Sequence, residues 1–192
     1  SLWCDKMSNL LIGDLRDSST FSTLMVDKFD AVVYLVSLNH TLSEKSVDDA
    51  IATNVTPMWE LLENLTKNGL SRFLYFSTQQ IYGQLPPEII EESRKPAPHN
   101  NYGLTHLMCE NIGQFFNQKS DTKCINLRLS NGYGRPSLRV NDCWGLVIND
   151  LCKSAIEKHK ICLLSDGSPQ RDFIHLSDIC QALSVLLSTS VD

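Results

Sequence analysis

The sequence predicts an α/β protein in which a parallel β-sheet is wrapped by helices. Two observations carry this. Apolar, β-branched runs of strand length alternate with stretches of helical spacing, and turn signals mark each change between them. The expected order along the 192 residues is β, β, α, β, α, β, α, β, α.

Residues 8–12 form a short apolar run closed by Gly13-Asp14, which reads as the first strand. Residues 31–36 are continuous, apolar and rich in valine, the pattern of a strand covered on both faces. Residues 46–68 read as a helix: Ser46 and Asp49 resemble a capping box, and Val47, Ile51, Val55, Met58, Leu62 and Leu65 keep helical spacing. Gly69 supplies the stop. Pro57 has no N–H and its ring meets the carbonyl four residues back, so it should kink this helix.

Residues 72–76 form the third strand, ending in Ser77-Thr78, and a loop with Pro86, Pro87, Pro96 and Pro98 follows. Asn100 or Asn101 then caps a helix running through Gln118, with Leu104, Leu107, Met108, Ile112, Phe115 and Phe116 along its apolar stripe. Residues 123–129 are a fourth strand, 142–159 a helix, 161–164 a short strand, and Ser177 caps a last helix over 178–188. A change of domain is expected from Asn131 onward, which divides the chain into 1–130 and 131–192.

Composition narrows the function classes. At 42% hydrophobic and 20% charged residues the chain is an ordinary globular sequence rather than a disordered one. Its net charge of −5, with no basic run, argues against nucleic acid as the main partner. The apolar runs are strand-sized and far too short to span a bilayer, so no membrane is expected. The opening Ser-Leu-Trp-Cys-Asp-Lys lacks the layout of a signal peptide. Seven Cys are scattered without a Cys-x-x-Cys pair, and Cys124, Cys162 and Cys180 lie in apolar stretches, pointing to a reducing, cytoplasmic setting. The five His are equally dispersed, so no metal site is expected.

In parallel sheets of this kind ligands bind beyond the carboxyl ends of the strands. Four short segments fall there: Gly13-Asp14-Leu15, Leu35-Val36-Ser37, Ser77-Thr78 and residues 128–133. Taken singly, each also reads as a turn, a helix cap or a surface ion pair. Tyr102 and His106 share one face of a helix start, so a phenol and an imidazole could meet one ligand there. On those two residues alone, a half-buried Tyr beside a solvated His is the favoured reading.

The segments as a set resemble the extended short-chain dehydrogenase/reductase family of nucleotide-sugar epimerases and dehydratases. Phe73-Leu74-Tyr75-Phe76-Ser77-Thr78-Gln79-Gln80-Ile81-Tyr82-Gly83 is similar to the strand and loop carrying its catalytic Ser/Thr. Residues 101–110, beginning Asn101-Tyr102-Gly103, resemble its Tyr-x-x-x-Lys helix, and Arg128-Leu129-Ser130-Asn131-Gly132-Tyr133-Gly134-Arg135-Pro136 its Arg-x-x-Asn-x-Tyr-Gly-x-Pro segment. Arg171-Asp172-Phe173-Ile174-His175-Leu176-Ser177-Asp178 is similar to its Arg-Asp-Phe-Ile-His-Val-x-Asp segment. The blocks keep the family's order and spacing and cover nearly the whole chain.

The resemblance implies a Rossmann-like parallel sheet with flanking helices, lacking the first βαβ unit, plus the start of a small substrate-binding lobe. Residues 1–130 would be a partial NAD(P)-binding domain, and 131–192 the start of the substrate-binding region, interleaved with the last strand and helix of the first. The implied cofactor is NAD or NADP and the implied partner a nucleotide-diphosphate sugar, with a homodimer open to the full-length parent. Asp14 and Leu15 would flank the adenine, Leu35, Val36 and Ser37 would line the cofactor, and Asn54 would lie near its nicotinamide half. Thr78 would hydrogen-bond the reacting sugar hydroxyl and Tyr102 would exchange its proton. His106 would take the place of the family Lys, as the third catalytic residue beside Tyr102 and as a contact to the cofactor. Gln79, Asn131 and Arg171 would hold the substrate, the last two at its diphosphate, which suits the planar fork of Arg.

Departures from the pattern refine this expectation. The family's Gly-rich phosphate-binding turn is not in the sequence. An imidazole at position 106 offers less positive charge near pH 7 than the family Lys. Gln79 and Gln80 stand where family dehydratases carry an Asp-Glu pair, and an amide cannot serve as a carboxylic acid. Dehydration is therefore disfavoured, leaving epimerisation first and keto/hydroxyl redox second. The alternative is a non-catalytic, fold-retaining homologue acting as a binding or scaffold module. The His at 106 and the missing Gly-rich turn favour it; the intact Thr78, Tyr102, Asn131 and Arg171 disfavour it.

Overall fold

The computed structural model describes residues 10–24, 28–135, 142–163 and 165–189. Contacts divide the chain into two compact units, Ser1–Gln84 with Lys95–Leu127, and Leu85–Arg94 with Arg128–Asp192. In chain order the first holds α1 (Ser18–Leu24), β1 (Ala31–Tyr34), α2 (His40–Lys45), α3 (Val47–Ala50), α4 (Thr56–Leu65), β2 (Arg72–Thr78) and α5 (Asn101–Lys119). β3 (Lys123–Leu129) closes this series, and the division falls near its end. The sheet order is β1-β2-β3, with β1 and β2 parallel in the register Ala31↔Arg72 to Tyr34↔Tyr75.

The helix expected over 46–68 is one helical path with a fault in it. Ser46 caps it as expected, its hydroxyl accepting from the Asp49 N–H at 3.1 Å. Residues Ile51–Val55 then form a π turn, and the Thr56 N–H reaches the Ile51 carbonyl five residues back. Pro57 is the physical cause: with no N–H to give and a ring that crowds the preceding turn, it is accommodated by the wider coil. The expected kink thus takes the form of an inserted residue, which rotates Asn54 inward.

The core lies where α4 and α5 cover one face of the sheet. Tyr34, Phe73 and Tyr75 from the strands meet Met58, Leu61, Leu62 and Leu65 of α4 and Cys109 and Phe116 of α5. The helices are seamed by Trp59, whose ring lies 5.3 Å from Phe115 and 5.4 Å from Phe116. Burial of an aromatic or large aliphatic side chain stabilises by about 1.5–3 kcal/mol, so this layer dominates the unit's stability.

In the second unit β4 (Asn131–Tyr133) pairs in parallel with β5 (Phe173–His175), and α6 (Val147–Lys158) lies between them in sequence. α7 (Leu176–Ser188) follows β5 directly and is capped by His175 rather than by Ser177. The expectation of strand at 8–12 lies partly outside the described residues, and Leu10 to Ile12 are irregular. Residues 161–163 are also irregular, and Leu164 is outside the described set. Among the described residues, no helix is long and apolar enough to cross a membrane.

Candidate active site

The end of β2 and the start of α5 are fastened together by side chains. Thr78 is extended, and its hydroxyl oxygen accepts from the Gln80 N–H at 3.2 Å, starting a 3-10 turn over Gln79–Tyr82. Asn100 caps α5, its Oδ1 accepting from the Gly103 N–H at 2.7 Å, while its Nδ2 donates to Gln80 Oε1 at 3.0 Å. Gly103 is required at this junction, because a Cβ there would lie 2.6 Å from the Gln80 carbonyl oxygen. The turn carrying Thr78 and the turn carrying Tyr102 are therefore one assembly. Thr78 only accepts in its bond to Gln80, so its own proton remains available to a ligand.

Tyr102 is half-buried, with its ring 4.4 Å from that of His106 and 6.3 Å from that of His40. Among the described residues, none hydrogen-bonds its phenol oxygen. Burial raises its pKa above the ordinary tyrosine value. His106 is 2% exposed. Its Nδ1 lies 2.6 Å from the Tyr75 hydroxyl and its Nε2 lies 3.2 Å from Ser37 Oγ. Burial pushes the imidazole down to about 4, so it is neutral at pH 7.

Asn54, turned inward by the π turn, is 1% exposed. Its Oδ1 accepts from the Leu38 N–H at 2.7 Å and its Nδ2 donates to Thr105 Oγ1 at 3.0 Å. Both ends of the amide are thus used in joining the segment after β1 to the first turn of α5. Cys109 donates to the Asn54 carbonyl at 3.1 Å, a further tie between α5 and the π turn. One turn beyond His106, Glu110 is buried and accepts from Ser77 Oγ at 2.6 Å.

The remaining sequence-predicted residues occupy more open positions. Asp14 is exposed and paired with Arg16 at 2.6 Å; the hydrogen bonds from that guanidinium and from the Arg16 N–H hold its carboxyl at about 2. Leu15 and Val36 are partly buried against the core. Leu35, at the carboxyl end of β1, is 64% exposed. Gln79 is half-buried in the turn after Thr78. In the second unit, Asn131 donates to the Asp172 carbonyl at 2.8 Å, and Arg171 is exposed with a bond to the Gln170 carbonyl. The structure therefore brings Asn131 beside the strand that Arg171 precedes. A pocket of about 480 Å³ in this unit is lined by Tyr133, Trp144, Ile148, Lys153, Ile156 and His175 among others, with neither Asn131 nor Arg171 in its lining.

Sequence reasoning missed Tyr75 and Glu110 as parts of this site, and read Asn100 only as a helix cap and Gln80 only as the place of an absent carboxyl. A signal was present. Tyr75 and Ser77, two residues apart on one face of β2, carry hydroxyls, and Tyr102, His106 and Glu110, four residues apart on α5, are polar or titratable, so two polar stripes occur on elements that pack together. Each hydroxyl of the first pairs with a group of the second.

Known proteins give this geometry a context. Residues 2–192 match the NAD dependent epimerase/dehydratase family. The low-salt glycan biosynthesis protein Agl12 of Haloferax volcanii is 26% identical over 178 residues, covering 91% of this chain and 55% of its own length. Among solved structures, MoeE5 in complex with UDP-glucose and NAD is 26% identical with a TM-score of 0.77, over 93% of this chain and 58% of that one. UDP-glucuronic acid 4-epimerase from Bacillus cereus in complex with NAD has a TM-score of 0.83 at 23% identity, over 98% and 58%, a likeness of fold. The chain spans about half the length of the curated relatives it matches. With the family match running over nearly every residue and the Rossmann-type fold shared with those structures, the chain belongs to the NAD dependent epimerase/dehydratase family.

Proposed function

We propose that the protein carrying this chain is an NAD(P)-dependent nucleotide-sugar epimerase, or a keto/hydroxyl oxidoreductase on the same substrates, with Thr78 and Tyr102 as its acid–base pair. The observation that carries this reading is the fastened junction of β2 and α5, which presents a Thr78 proton and an unpartnered Tyr102 phenol from one assembly. The likeness to MoeE5, solved with UDP-glucose and NAD, supports the substrate class and the cofactor.

The residues after β1 fit such a cofactor. Leu35 is a large apolar side chain left mostly exposed at a strand end, the kind of surface a planar ring covers. Leu35, Val36 and Ser37 would line the cofactor, with Asp14 and Leu15 at its adenine end. Asn54 would act by holding Leu38 and Thr105 in place. When bound, the nicotinamide supplies a site for hydride. Thr78 would donate to the sugar hydroxyl, and Tyr102 would take the hydroxyl proton and return it. Gln79 would face the sugar, while Gln80 is committed to Asn100 and leaves no carboxyl for dehydration. Asn131 and Arg171 would hold the diphosphate.

The test is turnover and binding with a panel of UDP- and dTDP-sugars. Tyr102→Phe and Thr78→Ala should lower kcat by about 100-fold or more while leaving sugar-nucleotide affinity within about twofold. Arg171→Ala should weaken that affinity by about tenfold or more and spare kcat. Unchanged turnover in the Tyr102 variant would overturn the acid–base assignment.

One observation favours a second reading, a fold-retaining binding or scaffold module. Tyr102 has its pKa raised by burial, and the neutral His106 gives no cation to lower it. This reading predicts NAD(P) and sugar-nucleotide binding with no turnover between about pH 6 and pH 9.

A further inference from the structure

The buried imidazole of His106 is faced by Tyr75 of β2, by Ser37 in the segment after β1, and by Tyr102 of its own helix, with Cys109 three residues along α5. We propose that Tyr75 and His106 are positioning residues that hold the segment after β1 through a one-way hydrogen-bond chain. In it Tyr75 Oη–H donates to His106 Nδ1, His106 Nε2–H donates to Ser37 Oγ, and Ser37 Oγ–H donates to the Leu38 carbonyl. Its functional half rests on the reading of residues 35–37 as a cofactor-binding segment.

The direction follows from counting protons. Ser37 Oγ lies 2.8 Å from the Leu38 carbonyl oxygen, which can only accept, so the single hydroxyl proton is committed there. The 3.2 Å contact between Ser37 Oγ and Nε2 then needs a proton on the ring. A neutral imidazole carries one N–H, so Nδ1 is bare, and the group 2.6 Å from it must be a donor. The Tyr75 phenol meets this requirement, since burial raises its pKa well above the ordinary value and keeps its proton in place.

The reverse order makes poorer bonds. It would spend the Ser37 proton on Nε2 and leave the Leu38 carbonyl, among the described residues, with the Ser43 hydroxyl at 3.4 Å. It would also turn the Tyr75 proton toward the neighbouring Cys109 sulfur, a weak acceptor. An ammonium at position 106 has no lone pair for Tyr75, so Tyr75 and His106 belong together. The Leu38 N–H is already held by Asn54, so the chain ties the second backbone group of the same residue. Both groups are then anchored to buried side chains of other elements.

The test uses the intact protein with ¹⁵N-labelled histidine, the His106 signals being assigned with His106→Gln. Long-range ¹H–¹⁵N spectra at pH 7 should give a protonated Nε2 and a bare Nδ1, unchanged to about pH 9. Tyr75→Phe, which removes only the hydroxyl, should mix the tautomers and move the Ser37 and Leu38 amide signals. It should also weaken NAD binding about three- to tenfold, the size of one lost hydrogen bond. A protonated Nδ1 or an imidazolium in the unsubstituted protein overturns the chain, with no need of a variant. Ser37 and Leu38 signals that stay in place in Tyr75→Phe overturn it as well. Moved signals with unchanged NAD affinity overturn its positioning role. The expected tautomer and moved signals in a protein that binds no NAD would support the chain and sink the cofactor reading instead.

Discussion

His106 has an ordinary residue's chemistry in an unusual setting. A free imidazole titrates near 6.5, and this one near 4 because burial disfavours its cation. Between those values the unfolded chain binds more protons than the folded one, so stability is full above about pH 6.5 and falls as the pH drops toward 4. The difference corresponds to about 3 kcal/mol, a large share of the stability of a domain this size. His106→Gln keeps a donor and an acceptor but does not titrate. Urea unfolding of both proteins from pH 8 to pH 4 should therefore bring the parent down relative to the variant by about that amount. Parallel stability curves across this window would contradict a buried, neutral His106. The same neutrality bears on chemistry, since Tyr102 lacks the charged neighbour that would draw its pKa toward neutrality.

At the level of elements, the junction of the 3-10 turn with α5 decides where the two candidate catalytic groups point. In the middle of a helix Ala is better than Gly by roughly 0.5–1 kcal/mol, so Gly103→Ala would gain on propensity alone. Here the new Cβ would lie 2.6 Å from the Gln80 carbonyl oxygen, a backbone atom that cannot swing aside. Gly103→Ala is therefore expected to lower Tm and, by pushing the turn away, to reduce kcat with a smaller effect on KM. Thermal unfolding and steady-state kinetics measure both, and a gain in Tm would mean that the junction is loose. Much of this level was legible in the sequence. The Ser46 cap and the Asn100 cap are local patterns, fixed by groups three residues apart, and the bounds of β3 follow its apolar run. The π turn was half legible: Pro57 announced a fault, but the spacing of Val47, Ile51 and Val55 is equally that of an unbroken helix. The pairing of His106 with Tyr75 and Ser37 was not, because the partners are 31 and 69 residues away and nothing local distinguishes a solvated His from a buried one.

At the scale of the whole chain, the question is what its apolar surface meets. α7 is rich in Leu, Ile and Val, yet of its large apolar side chains only Ile179 is buried, while Leu176, Val185 and Leu187 are exposed. On α6, Ile156 is 76% exposed, and Leu35 protrudes at the end of β1, an edge of the three-stranded sheet. Scattered single hydrophobes are normal on a protein surface, but a helix apolar on most of its faces is normally covered. Among the described residues β1 pairs on one side only, and an open strand edge is a template for pairing between copies. A net charge of −5 is too small to keep such surfaces apart at physiological salt, where charges are screened within about 8 Å. These 192 residues expressed alone should therefore self-associate, seen as light scattering that rises with concentration and with added salt. Ile156→Lys and Val185→Lys, both at exposed positions, should reduce the scattering without lowering Tm. A cooperative, monomeric species at high concentration, unaffected by either substitution, would mean that these faces do not associate and that Leu35 and α7 are tolerated in water as they stand.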